Sequence, residues 1–324
     1  MLCYKKYNGI FIFLLLVTLL LQPIPVKAEG LHNNNQDTTC YILKSYVKIE
    51  NNSKTSASRV KLEVPIIANI NSPYQKIIAE KFSIAPVAIN ESDNGNRMAV
   101  FDIGNIKPGS KITIVAEYKI KVYGSNWLNS SNDLHLNHPK IYLSPGPKIE
   151  SNSPEIKAIA QNILNQVDNH DEVAIAQAAF DYTIKTLKYS LYAPSVNQGA
   201  LSALENGAGS CVEFASLFVA ITRAAGVPAR IVNGFADKVA PLSKADSNIN
   251  LDSRHQWVEF FVDGKGWIPA DPTLSTSRAR IFGKLPVGYY VAQNYGDSSI
   301  KGKYNGGKLS ISYGGYWIRE AASF

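Results

Sequence analysis

From Ile112 to Val122 every second residue is apolar, through Ile114, Ala116, Tyr118 and Ile120, and most of the residues between them are charged or polar. A period of two puts the apolar side chains on one face of an extended chain, so this stretch predicts a half-buried β-strand and excludes an amphipathic helix. The same alternation occurs at Val47/Ile49 and at Val60/Leu62/Val64. Between such runs "DNGN" at 93–96 and "KPGSK" at 107–111 supply turn residues. Residues 40–125 are therefore expected to form an antiparallel β-sandwich, and nothing in them suggests site chemistry.

The period changes further on. A polar connector containing "GSNWLNSSNDLHLNHPK" and "YLSPGPKIESNSPE" marks a linker over 126–153. His135 and His138 have a spacing that can serve a metal, but no helical period surrounds them and Pro139 follows, so they read as solvated loop residues. Ser153-Pro154 is suited to starting a helix, and Ile156, Ile159, Ala160, Ile163 and Leu164 keep helical spacing. Ala176, Ala179, Phe180, Ile184 and Leu187 repeat it. Helices clustered before strands make 154–324 an α+β domain of helices on an antiparallel sheet. The Tyr- and Gly-rich stretch from Gly288 to Phe324 reads either as strands finishing that sheet or as a lining for a binding groove.

The first 28 residues stand apart. Lys5 and Lys6, an apolar run from Ile10 to Leu21 and the Val26-Lys27-Ala28 cleavage pattern read as a secretory signal peptide. The run is shorter than the roughly 20 apolar residues a bilayer core requires, which argues against stable membrane insertion once the leader is removed. The expected location is extracytoplasmic, secreted or cell-surface associated. Losing Lys5, Lys6 and Lys27 takes the formal charge from +7 to +4. That mild excess, with no dense Lys/Arg run, points away from a nucleic-acid partner.

After the leader, only Cys40 and Cys211 remain. A single disulfide between them is one reading. The surroundings of Cys211 favour another, a reactive thiol. Ser210 followed by Glu213 is a capping-box pattern, and Phe214, Leu217, Phe218 and Ile221 continue as an apolar stripe, so Cys211 is expected at the first helical position. Free N–H groups and the positive end of the helix dipole there favour thiolate over thiol. Upstream, Gly207, Ala208 and Gly209 leave room for a substrate to approach the backbone. Downstream, "RHQWVEFFV" predicts a strand opened by His255, the candidate acid and base, and "DGKGWIPADPT" a turn and returning strand ending at Asp271, the candidate partner of the imidazole. A two-residue turn would put His255 and Asp271 on opposite faces, so the arrangement demands an odd-length loop or a bulge. Asp263 reads as a turn residue.

The segments "GALSALENGAGSCVEFASLFVAITRAAGVPARIVNGF" and "RHQWVEFFVDGKGWIPADPT" resemble the core of the transglutaminase-like superfamily of papain-type thiol enzymes, over roughly residues 199–273. "YLSPGPKIESNSPEIKAIAQNI" resembles the lead-in of its bacterial members, which extends the likeness to about residue 142. The resemblance implies that Cys211 attacks a carboxamide or peptide carbonyl, with His255 as acid and base and Asp271 fixing it. An acyl-thioester would then pass to water or an amine. The oxyanion would be held by the Cys211 N–H and a second donor. Animal transglutaminases use an upstream tryptophan for the latter; here no Trp lies between Trp127 and Cys211, and Tyr189 and Gln198 are the substitutes on offer. Hydrolysis and deamidation thus stand level with cross-linking. The Asp246–Asp252 run "DSNINLD" has calcium-loop alternation, but Leu251 and Trp257 stand where such loops carry Gly and Glu, so it reads as a solvated loop or a lid over the cleft. No metal or cofactor is expected. The partner is a protein or cell-wall peptide substrate. The rival reading is a non-catalytic surface scaffold that retains the fold.

Overall fold

The computed structural model describes residues 38–319 except 69–74, 94, 124, 127–138, 168–170, 237–253, 276–279, 287–289 and 297–298. The expected leader, Trp127, His135, His138 and the 246–252 run lie outside the described residues. The described residues belong to one compact unit, Gln36–Phe324.

Six strands come first: β1 (Thr38–Asn51), β2 (Ala57–Ile66), β3 (Gln75–Phe82), β4 (Ala88–Glu91), β5 (Arg97–Ile106) and β6 (Lys111–Tyr123). They pair antiparallel in the orders β1-β6-β3 and β2-β5-β4. Inward-facing Leu43, Ile49, Leu62, Phe101, Ile114 and Ile120 form one core between the two sheets. The two-residue period thus has its expected cause, one face of each sheet being buried against the other.

A short β7 (Ser125–Asn126) precedes a 3-10 turn at Lys140–Leu143 and helix α1 (Pro154–Leu164), whose N-cap Ser153 accepts from the Ile156 N–H. Asp171 caps α2 (Glu172–Thr186) through the Val173 and Ala174 N–H groups. Next come β8 (Lys188–Tyr189), α3 (Ala200–Asn206), β9 (Ala208–Gly209) and α4 (Cys211–Ala224). The spacing of apolar residues predicts a striped α4, but every residue from Glu213 to Thr222 is buried. The helix is enclosed by α1, α2 and α3 and by the sheet behind it, and Ala215, Ser216 and Ala220 are small enough to let those neighbours close in. Burying Phe214, Leu217, Phe218 and Ile221 stabilises the domain by about 1.5–3 kcal/mol each, which fixes α4 as its centre.

Behind α4 lies an antiparallel sheet in the order β12-β11-β10-β14, from β10 (Ala229–Ala236), β11 (Arg254–Val262), β12 (Gly266–Ala270) and β14 (Tyr290–Tyr295); β13 (Lys284–Leu285) pairs with β7. The Arg-Ala-x-Gly-x-Pro-Ala-Arg passage has structural reasons. Arg223 donates to the Ala229 and Ser144 carbonyls. Arg230 is buried, bonded to Glu259 at 2.7–2.8 Å and packed between the rings of Trp267 and Tyr295, with its guanidinium carbon 4.0 and 3.9 Å from their centres. Burial opposes the Arg230 charge; Glu259 more than compensates and holds its pKa above the usual value.

The chain then returns to the sandwich. β15 (Lys301–Asn305) pairs with β2, and β16 (Leu309–Arg319) pairs with β1 along Tyr41–Asn51. This corrects the expectation that everything after residue 154 serves one domain: among the described residues of the tail, Tyr290–Tyr295 alone joins the second sheet, while 301–319 complete both sheets of the first. The physical reason is that β1 and β2 would otherwise be open sheet edges.

Candidate active site

Ser210 is the N-cap of α4 and forms a capping box with Glu213. The buried Glu213 carboxylate accepts from the Ser210 N–H and hydroxyl through Oε2, at 3.0 and 2.8 Å, and from the Asn197 N–H through Oε1 at 2.7 Å. It therefore ties the 190–198 loop to the start of the helix, and Cys211 is left as its first residue. The upstream glycines are explained by this geometry and not by substrate access. Gly207 ends α3 at φ 61°, and a Cβ on Gly209 would lie 2.4 Å from the Cβ of Glu213. Gly209 is what allows the capping carboxylate to fold back.

The turn joining β11 to β12 has three residues, 263–265, closed by Val262 pairing with Gly266; Gly264 and Gly266 have φ of 71° and 82°. This odd count meets the geometric demand made by the sequence. It puts Asp271 on the same face as Trp257 and His255. His255 Nε2 donates to Asp271 Oδ2 at 2.7 Å, with the side chains 1% and 0% exposed. Asp271 Oδ1 accepts from the Thr273 and Leu274 N–H groups at 2.9 and 3.0 Å, an arrangement set up by the turn at Pro272. The Cys211 thiol faces the imidazole closely enough to act on it, while the buried Nδ1 makes no fully formed hydrogen bond. The structure thus places Cys211 and His255 at one cleft, with Asp271 buried behind the imidazole. Cys211 and Cys40 are not disulfide-bonded, so the disulfide reading does not hold.

Burial alone would keep His255 neutral. The Asp271 charge and hydrogen bond, with help from Cys211, overcome it and lift the imidazole to a pKa of about 9. Burial would likewise raise Asp271, but the imidazole, the Leu274 N–H and the Tyr290 hydroxyl hold it below the ordinary carboxylate range. The groups favour a charged imidazolium against a charged carboxylate.

The cleft has a volume of about 650 Å³ and is lined by Cys211, His255 and Tyr189. Tyr189 is placed by β8, which pairs in parallel with β9 so that Tyr189 lies opposite Gly209. Its phenol is raised by desolvation and by the nearby Cys211 charge. Gln198, the other substitute donor, is not among the lining residues. Pro65 and Tyr313 of the sandwich form part of the wall, so the first domain does contribute to the cleft, contrary to the sequence reading. Sequence reasoning also missed Tyr290, whose hydroxyl donates to Asp271 Oδ2 at 2.7 Å, and the packing of Trp257 against His255 at 6.3 Å between ring centres. The Trp-x-Glu after the histidine was the available signal for Trp257; for Tyr290 there was none. Among the described residues no group of three or more His, Cys, Asp or Glu could hold a metal, and no helix is long and apolar enough to cross a membrane.

Residues 157–272 match the family model of the transglutaminase-like superfamily. A stretch of 133 residues is 26% identical to the protein-glutamine gamma-glutamyltransferase of Pseudomonas aeruginosa, covering 40% of this chain and 20% of that protein. Another of 140 residues is 28% identical to an uncharacterized protein of Mycobacterium leprae, covering 43% and 47%. The chain's match thus spans a fifth and about half of the length of these relatives. A solved structure of a candidate cysteine protease from Cytophaga hutchinsonii shares the fold, with a TM-score of 0.60, 17% identity and coverage of 90% of this chain and 94% of that one. Residues 157–272 thus form a domain of the transglutaminase-like superfamily, and the fold of the chain is shared with the Cytophaga structure.

Proposed function

We propose that the protein is an exported thiol enzyme that acts on amide or peptide carbonyls of proteins or cell-wall peptides through Cys211, His255 and Asp271. The observation that carries this reading is the buried His255–Asp271 pair beside a thiol at a helix N-terminus. Imidazolium and thiolate form together when the thiol proton moves to the ring, and the first turn of α4 favours the sulfur anion. The thiolate attacks the carbonyl carbon. The oxyanion is held by the Cys211 N–H and by the Tyr189 hydroxyl, which its raised pKa keeps protonated as a donor. His255 gives its proton to the departing amine or ammonia as the C–N bond breaks, leaving a thioester on Cys211. The neutral ring next takes a proton from water or from an acceptor amine, whose attack releases an acid or a new amide and restores the thiol.

The test exposes the protein to a blocked glutaminyl-glycine dipeptide and to cell-wall peptides, with and without an added primary amine, and follows Cys211 by mass spectrometry. A thioester adduct on Cys211, absent in Cys211→Ala, is expected, and the amine arm separates transfer from hydrolysis. Iodoacetamide is expected to label Cys211 far faster than Cys40, although both are half-buried. Equal, slow labelling of the two thiols with no adduct in either arm would leave the surface-scaffold reading in its place.

A further inference from the structure

Tyr290 enters the site from the far side of the sheet. It sits on β14 at one edge, whereas Asp271 follows β12 at the other, with β10 and β11 between them. The span is possible because Gly234 of β10 pairs with both His255 and Ala292 and carries no side chain in the space between. A Cβ there would lie 2.8 Å from the Trp257 ring and 2.2 Å from the Val291 carbonyl oxygen. Trp257 fills that space and meets the Tyr290 ring edge to face at 5.2 Å, which aims the phenol. Tyr290 is itself only 2% exposed.

Its hydroxyl donates at 2.7 Å to Oδ2, the same Asp271 oxygen that receives the His255 proton at 2.7 Å. The carboxylate does not need Tyr290 for its aim, because Oδ1 is held by two backbone N–H groups and Oδ2 by the imidazole. What a fourth donor changes is the charge available on the shared oxygen. A carboxylate that is hydrogen-bonded elsewhere attracts an imidazolium less strongly. We propose that Tyr290 is a positioning residue that tempers the hold of Asp271 on His255, keeping the imidazolium able to release its proton to the leaving group. The titratable groups that face the ring are Asp271 from the end of β12, Cys211 from α4 and, through Asp271, Tyr290 from β14; Tyr189 from β8 acts on Cys211. Burial and the Asp271 charge raise the Tyr290 phenol well above its ordinary range, so it stays a donor at every pH where the ring titrates. The inference rests on the thiol-enzyme reading for its catalytic meaning, but not for its test.

The test titrates the His255 ring by NMR in wild type, in Tyr290→Phe and in protein with 3-fluorotyrosine at position 290, the signal being assigned by its loss in His255→Asn. Removing the donor is expected to raise the ring's midpoint by about half a pH unit or more, and the stronger fluorophenol donor to lower it. The alkaline limb of Cys211 alkylation by iodoacetamide is expected to move with the ring in both. A merely structural role would shift neither in opposite directions. Midpoints unmoved in both variants, or a downward shift in Tyr290→Phe, would overturn the proposal. Should Tyr290→Phe fail to fold, the fluorotyrosine protein carries the test alone. If wild-type Cys211 lacks enhanced reactivity while the ring still responds to position 290, the enzyme reading fails and the Tyr290 coupling stands.

Discussion

His255 binds its proton more tightly in the folded chain than in the unfolded one, since its pKa is lifted to about 9 from an ordinary 6.5. Its contribution to stability is therefore complete below about pH 6.5 and is lost as pH rises through 9, because the native state holds the extra proton in that interval. Asp271 has the opposite sign. Its depressed pKa contributes stability above the ordinary carboxylate range, which is lost as pH falls through the folded value. Urea unfolding at fixed temperature is expected to show wild type losing on the order of 3 kcal/mol more than His255→Asn between pH 6 and pH 10. Parallel curves for the two proteins would mean that the imidazole is not held charged. At this scale the three candidate residues could be singled out in the sequence because each type stands in a recognisable local pattern: a cap, a strand opening, a turn-and-return. Tyr290 was not, since one tyrosine among the 17 in the chain acquires its role only by crossing the sheet from the opposite edge.

At the scale of elements, the start of α4 depends on Glu213 more than on any single hydrogen bond. One carboxylate serves the Ser210 N–H, the Ser210 hydroxyl and the Asn197 N–H, and Gly209 leaves it the space to do so. Glu213→Ala strands the Ser210 N–H in a buried setting and the Asn197 N–H in a partly buried one. A cost of about 2–4 kcal/mol in unfolding free energy is expected, from a lost cap and unsatisfied groups. Cys211 labelling should slow as the 190–198 loop detaches, and Glu213→Gln should recover part of both. An Ala variant as stable and as reactive as wild type would show that the loop is held by other means. The capping box itself was readable in Ser210 and Glu213. Its second function was not, because Asn197 lies 16 residues upstream and contributes only a backbone N–H, which no side-chain pattern announces. The α4 stripe was misread for a related reason: Ala, Ser and Thr positions are ambiguous in polarity, and the packing around the helix decides that they are buried.

For the whole molecule, the decisive strand is β14. It is the edge of the second sheet, and an open edge invites pairing with another chain. Here the sandwich closes it with carboxamides. Gln75 donates to the Ala292 carbonyl at 2.9 Å and accepts from its N–H at 2.7 Å; Asn96 does the same for Tyr295 at 2.8 and 2.7 Å. Gln293 donates back to the Pro65 carbonyl at 2.8 Å and to the Tyr313 hydroxyl. Phe235 of β10 and Val291 of β14 belong to the sandwich core, and Gly315 of β16 lets the Phe235 ring approach, since a Cβ there would lie 2.3 Å from it. Periodicity located the two halves but could not reveal this join, because isolated Gln and Asn residues near strand ends look like surface residues until a second sheet lies against them. The consequence is that the cleft wall formed by Pro65 and Tyr313 is held by side chains that mimic a strand. Gln75→Met keeps the length and bulk of residue 75 but removes its two hydrogen bonds to Ala292 and a longer one to the Ala68 carbonyl at 3.3 Å, leaving the Ala292 N–H and C=O without that partner. A loss of about 2–4 kcal/mol is expected in urea unfolding, with Gln75→Glu, which keeps the acceptor for the Ala292 N–H, falling between the two. If Gln75→Met unfolds at the same urea concentration as wild type, the β14 edge is not what joins the sandwich to the second sheet.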